Sequence, residues 1–123
     1  MRHSIDTLAM QKAMDGFTAS LAPHLNTDGA RGAQARILTT VLPVYFQAMA
    51  HEMDAGTEGE AVYVAIVALL THMAGSSVKT LEIEGTPEID RLGRLLGDVY
   101  RNAGERLIQG DFARVPFEPT GSA

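Results

Sequence analysis

The chain has 123 residues, of which 46% are hydrophobic and 20% charged, with a formal net charge of −5 and no cysteine. That length suits one domain with one core, and the balance of apolar to charged residues is that of a folded protein, not a disordered one. The missing thiols exclude disulfides, cysteine nucleophiles and thiolate metal sites, and the acidic balance argues against nucleic acid or an anionic membrane as partner unless a locally basic face exists.

The opening run Met1-Arg2-His3-Ser4-Ile5-Asp6 reaches an acid before any long apolar stretch, which speaks against a signal peptide and leads us to expect a cytoplasmic protein. Ser4 is a good N-cap, so a first helix is predicted to follow it and to run to residue 22, where Pro23 stops it. Its main stripe is Met10, Ala13, Met14, Phe17 and Leu21 at helical spacing. A second helix is predicted over 30–55, with Asp28 as its cap. Pro43 falls in its middle, removing a backbone hydrogen bond, so the helix is expected to kink there or to divide into two near Leu42.

The third helix has the clearest start. Thr57-Glu58-Gly59-Glu60 reads as a capping box directly before an apolar run. Val62, Tyr63, Ile66, Val67, Leu69, Leu70 and Met73 form its large face, while Ala61, Ala65, Ala68, His72 and Gly75 line the opposite side. A helix apolar all round is expected to be buried, so residues 58–78 are predicted to be the centre of the fold. The stretch 61–70 is the most apolar, about half the length needed to cross a bilayer. Residues 80–84 alternate apolar and acidic and suggest a short extended piece. Thr86-Pro87-Glu88 then offers an N-cap, a proline at the first helical position and an acid in the first turn. The fourth helix is predicted to carry the stripe Ile89, Leu92, Leu96, Val99, Tyr100, Ala103 and Leu107, and to end at Gly110. The expected architecture is therefore all-α: a compact bundle of about four helices over residues 1–110, with a loosely ordered tail over 111–123 in which Phe112 and Phe117 are placed to dock.

The chemistry the sequence excludes is clearer than the chemistry it offers. Counting calcium-loop positions from Asp54 puts glycine at the sixth, but Ala65 stands at the twelfth, where the bidentate carboxylate belongs. None of His3, His24, His51 and His72 has a second ligand three or four residues away, and the metalloprotease pattern that begins at His51-Glu52 lacks its second histidine. Ser76 and Ser77 lack the sharp glycine-flanked turn of a serine nucleophile. No phosphate loop or dinucleotide fingerprint is present. The arginines of the fourth helix (Arg91, Arg94, Arg101 and Arg106) are balanced by Glu88, Asp90, Asp98 and Glu105. Asp90 with Arg94, and Arg101 with Glu105, are spaced to pair within the helix. We expect no cofactor, no metal, no nucleic acid and no membrane partner, and catalysis has no support.

What remains is an interface. Gly93, Gly97 and Gly104 fall on one flank of the fourth helix's stripe, each costing about 1 kcal/mol against alanine, which suggests close approach of another backbone. Ala61, Ala65, Ala68 and His72 are the natural counterpart, either within one monomer or between chains, and Met10, Met14 and Phe17 on the first helix add an adaptable apolar surface. The expected function is a non-enzymatic regulatory interaction module, a homodimer that binds another protein and sequesters a transcription factor or enzyme. The alternative is a small-ligand or metal-dependent helical domain with a pocket near His72, Tyr63 and Tyr100.

Overall fold

The computed structural model describes residues 2–5, 7–82, 84–112 and 117–120. Four helices carry the fold: α1 (Thr7–Leu21), α2 (Gly29–Asp54), α3 (Gly59–Thr80) and α4 (Glu88–Gln109). A single 3₁₀ turn (Ala22–His24), with Pro23 inside it, separates α1 from α2. Two four-residue strands, β1 (Arg2–Ile5) and β2 (Phe117–Thr120), add a short antiparallel ribbon in which Arg2 pairs with Thr120 and Ile5 with Phe117. The class is all-α, as the periodicity predicts. Ser4 belongs to β1 rather than capping α1, which begins two residues beyond Ile5. Residues 117–120 of the C-terminal segment are paired, while the side chain of Phe117 lies outside the described residues.

The chain divides into two compact units, one formed by Met1–Gly59 with Val115–Ala123 and the other by Glu60–Arg114. In the first unit the ribbon and α1 lie against α2. The packing there rests on small residues: Gly32, Ala35 and Ala50 of α2 are buried, together with Met10 of α1. Small side chains permit a close crossing but contribute little apolar area each, so this core is thin.

The entry to α2 is closed by a local clasp. Asp28 stands at the N-cap in extended conformation but makes no side-chain capping bond. Instead the Arg36 guanidinium, two turns into the helix, reaches back and donates from Nη1 to the carbonyls of Leu25 at 2.9 Å and Thr27 at 3.2 Å. The carbonyl of Thr27 thereby lies directly over Gly32, where only a missing side chain leaves room for it. Further along, α2 is one continuous helix through Pro43 and is not divided near Leu42.

In the second unit, α3 and α4 begin and end close to where the sequence signals place them. The details of the caps differ. Thr57 donates its hydroxyl to the Glu52 carboxylate at 2.7 Å, tying the end of α2 to the interhelical turn and leaving the reciprocal capping box unmade. Pro87, not Thr86, is the N-cap of α4, its carbonyl accepting from the N–H groups of Asp90 and Arg91. Leu81, Glu84 and Gly85 lie in turns, Glu82 is in no regular element, and Ile83 lies outside the described residues. Gly110 closes α4 in the left-handed conformation at φ 76°, its N–H bonded to the carbonyl of Leu107 and that of Asp111 to Arg106. This is the glycine-terminated helix end the sequence predicts. Beyond it, the Arg106 guanidinium sits 4.5 Å over the Phe112 ring, a cation–π contact that docks the start of the tail.

The expectation that 58–78 is the buried centre of the fold is overturned. Along α3 only Val78 is buried. Tyr63, Val64, Val67, Leu69, Leu70 and Met73 are all exposed, as are Ala61, Ala65, Ala68, His72 and Gly75. The physical reason is geometric. The only other helix in this unit is α4, and the two come together near their shared turn without packing along their lengths.

Candidate interaction surface

The joint between α3 and α4 is the best-organised part of the second unit. Val78 and Arg91 are buried there, and Lys79 donates from Nζ to Oε1 of Glu88 at 2.6 Å across the turn. The hydrogen bond from Lys79, then its positive charge, holds the Glu88 carboxyl below the ordinary carboxylate value, and the same bond raises the Lys79 ammonium above its ordinary value. A carboxyl depressed in the folded state contributes stability above its unfolded pKa and loses it as pH falls through the folded value, whereas a raised ammonium loses its contribution as pH rises through its own folded value. The clasp is therefore complete between the carboxylate and lysine ranges and opens on either side. Because both groups are exposed, the effect is local. A proton titration of Glu88 followed by NMR is expected to show its midpoint rise toward the ordinary carboxylate value in Lys79→Met. An unmoved midpoint would show that the contact does not persist in solution.

Beside this joint, Glu82, Glu84, Gly85, Thr86 and Pro87 line a shallow depression open to solvent. The ligand pocket anticipated near His72, Tyr63 and Tyr100 has no counterpart in the depression. Tyr63 is 67% and Tyr100 82% exposed, and His72 is exposed as well. Among the described residues no group of three or more His, Cys, Asp or Glu side chains is placed to hold a metal ion.

The helix faces are the more informative feature. Along α3 the residues Tyr63, Ile66, Leu70, Met73 and Ser77 recur at spacings of three and four, so they fall on one line along the helix. Ile66 and Ser77 are half-buried, the other three exposed. The only formal charges on the whole of α3 are Glu60 in its first turn and Lys79 in its last. On α4, Ile89, Leu96, Tyr100 and Leu107 make a second line, all four exposed, and the face opposite it carries most of the helix's charged residues. Arg101 pairs on that polar side with Asp98, three residues back, instead of with Glu105. The candidate glycines of α4 meet no neighbouring backbone: a Cβ built on Gly93 or Gly104 touches nothing within 4 Å, and one on Gly97 meets only the Arg101 side chain. Of the α1 candidates, Met10 is already buried inside its own unit, and Met14 and Phe17 are half-buried.

The amount of uncovered surface is large. Among the described residues, Val64, Val67, Leu69 and Leu70 of α3 and Val99, Tyr100 and Ile108 of α4 are all exposed. By length and composition α3 is also long and apolar enough to cross a membrane, with mean hydropathy 1.7. The sequence pattern of α3 was visible from the outset, but not that Tyr63, Leu70 and Met73 would be surface residues. The placement of both charges at the helix ends was the signal that could have raised the question.

Compared with protein-family models, curated proteins and solved structures, the chain shows no match.

Proposed function

We propose that this chain is a non-enzymatic interaction protein, a cytoplasmic regulatory module that holds another protein, such as a transcription factor or an enzyme, through exposed helix faces. One observation carries the reading. The line Ile89, Leu96, Tyr100 and Leu107 runs the length of α4 in contact with water, flanked by glycines over which no backbone lies. Contiguous apolar surface of this extent on a protein marks a place where something else binds, and an amphipathic helix with glycine flanks suits the close approach of a second helix.

The test is retention of proteins from native extract by the immobilised full chain and by a Leu96→Asp/Leu107→Asp variant. Both side chains are exposed, so the variant is expected to keep its helical circular dichroism while losing the retained proteins. A set of retained proteins unchanged by the two substitutions would count against binding through α4.

A second reading is favoured by the length and hydropathy of α3, which suit a lipid bilayer. Against it, Thr71, His72, Gly75, Ser76 and Ser77 crowd the C-terminal half of the helix. Flotation of the chain with phosphatidylcholine vesicles would favour lipid; sedimentation away from them would remove that reading.

A further inference from the structure

We infer that the Asp28–Gly29 peptide is a site of spontaneous backbone modification, in which Asp28 passes through a cyclic imide to isoaspartate, and that this change releases the clasp at the entry to α2.

The chain holds two Asp–Gly pairs, Asp15–Gly16 and Asp28–Gly29. In each, the glycine nitrogen can close a five-membered ring on the aspartate side-chain carbon, and glycine has no side chain to hinder the approach. All four residues are exposed, so access to water does not separate the two pairs. The backbone does. Ring closure requires the peptide plane after the aspartate to turn about the Cα–C bond until its nitrogen faces the side chain. Asp15 and Gly16 lie in the interior of α1, where that turn would break the hydrogen-bond ladder of the helix on both sides. The Asp15 carboxylate is also engaged, accepting from Nε2 of Gln11 one turn back at 2.8 Å.

Asp28 stands just outside α2, extended at φ −74° and ψ 161°, and makes no side-chain capping bond. Gly29 follows at φ 77° with open space where a Cβ would be. The N–H groups of a helix's first turn have no acceptor within the helix, so the ladder of α2 does not hold the Gly29 nitrogen. Turning the peptide after Asp28 disturbs only the first bond of that ladder, which the Asp28 carbonyl accepts.

The steps balance without a co-reactant. The Gly29 nitrogen bonds to Cγ of Asp28 in its acid form, the Cγ–OH bond breaks, and the hydroxyl leaves with the amide proton as water. Water then adds back to the ring. Opening at Cγ restores aspartate. Opening at the main-chain carbonyl leaves a free α-carboxylate and a backbone that runs through Cβ and Cγ, one methylene longer at unchanged mass. The added atom falls beside Thr27, whose carbonyl lies over Gly32 with no room to spare and accepts from Arg36 at 3.2 Å. Lengthening the chain between Thr27 and α2 displaces that carbonyl and opens the clasp.

The test is to age the purified full chain near neutral pH at body temperature, then denature it and digest it with a protease that cuts before aspartate but not before isoaspartate. Methyl transfer by an isoaspartyl methyltransferase measures the product independently. Isoaspartate should accumulate at position 28 while Asp15 persists, and a sample aged in denaturant should convert at both. Asp28→Glu, which would need a larger ring, should lose the product. Because Asp28 makes no capping bond, that variant should fold as the parent does. The aged parent should melt below the fresh one, and aged Asp28→Glu should keep its melting temperature. Equal conversion of the two pairs in the folded chain, earlier conversion at Asp15, or an Asp28 as long-lived as Asp15 would overturn the assignment. An unchanged melt of the converted chain would overturn its link to the clasp.

Discussion

Gly32→Ala is expected to destabilise the protein by about 2–3 kcal/mol, even though alanine is the better helix former by about 1 kcal/mol. A Cβ at position 32 would stand 1.5 Å from the Thr27 carbonyl oxygen and 2.6 Å from its carbon. Those are backbone atoms, so no side-chain rotation relieves the overlap. The loop must move, and with it goes the bond from Arg36 to Thr27 that closes the entry to α2. Gly16→Ala is the matched control. Gly16 lies in the interior of α1 with open space where its Cβ would be, and there alanine should give back roughly 0.5–1 kcal/mol. Thermal melts of the two variants should therefore move in opposite directions, Gly32→Ala downward by about 10 °C. If both substitutions stabilise, the Thr27 carbonyl does not hold its place over the helix and the clasp is not a fixed feature.

Gly32 also shows where reading a sequence stops. A glycine inside a predicted helix counts locally as a weakness, and nothing in the neighbouring residues reveals that a loop five positions earlier folds back over it. The same limit applies to the β1–β2 ribbon, whose partners are more than a hundred residues apart and whose four-residue strands carry no alternation strong enough to read. By contrast, the bounds of α3 and α4 were recoverable within a residue or two. They are set by local chemistry: the turn around Gly56, the proline before Glu88 and the left-handed glycine at 110. The burial of α3 was misread for a physical reason. Periodicity reports which faces of a helix avoid water and is silent on whether the same chain supplies the cover. Tyr63, Leu70 and Met73 satisfy the pattern of a core helix and that of an interface helix equally well. Among the interface candidates, Ala61, Ala65, Ala68, His72 and Gly93 are exposed, Gly97 and Gly104 are half-buried, and Met10 is buried, a difference that helical spacing alone does not encode.

Pro43→Ala is expected to stabilise the chain by about 1–2 kcal/mol. A proline inside a helix costs about 3 kcal/mol relative to alanine, since it deletes one N–H and crowds the carbonyl four residues back. Here that carbonyl belongs to Thr39, and α2 nevertheless continues through Pro43 without a break. The neighbourhood is already short of hydrogen bonds, for the Thr39 hydroxyl is buried without a partner among the described residues. Alanine would restore a donor for the Thr39 carbonyl. Two terms reduce the gain below the full helix penalty. Proline restricts the unfolded chain, worth about 0.4–1 kcal/mol to the native protein, and the half-buried ring gives up some packing when shortened. Thr39→Val tests the same region independently: replacing a buried, unbonded hydroxyl by a methyl of similar size should be neutral to stabilising. Chemical denaturation of both variants at fixed protein concentration checks the pair, since self-association would otherwise enter the midpoint. A Pro43→Ala variant less stable than the parent would mean that the proline's constraint on α2 is needed elsewhere in its unit, where β1 and α1 lie against the helix. In that case the residue that looks most costly in the helix would be the one that shapes the surface on which they pack.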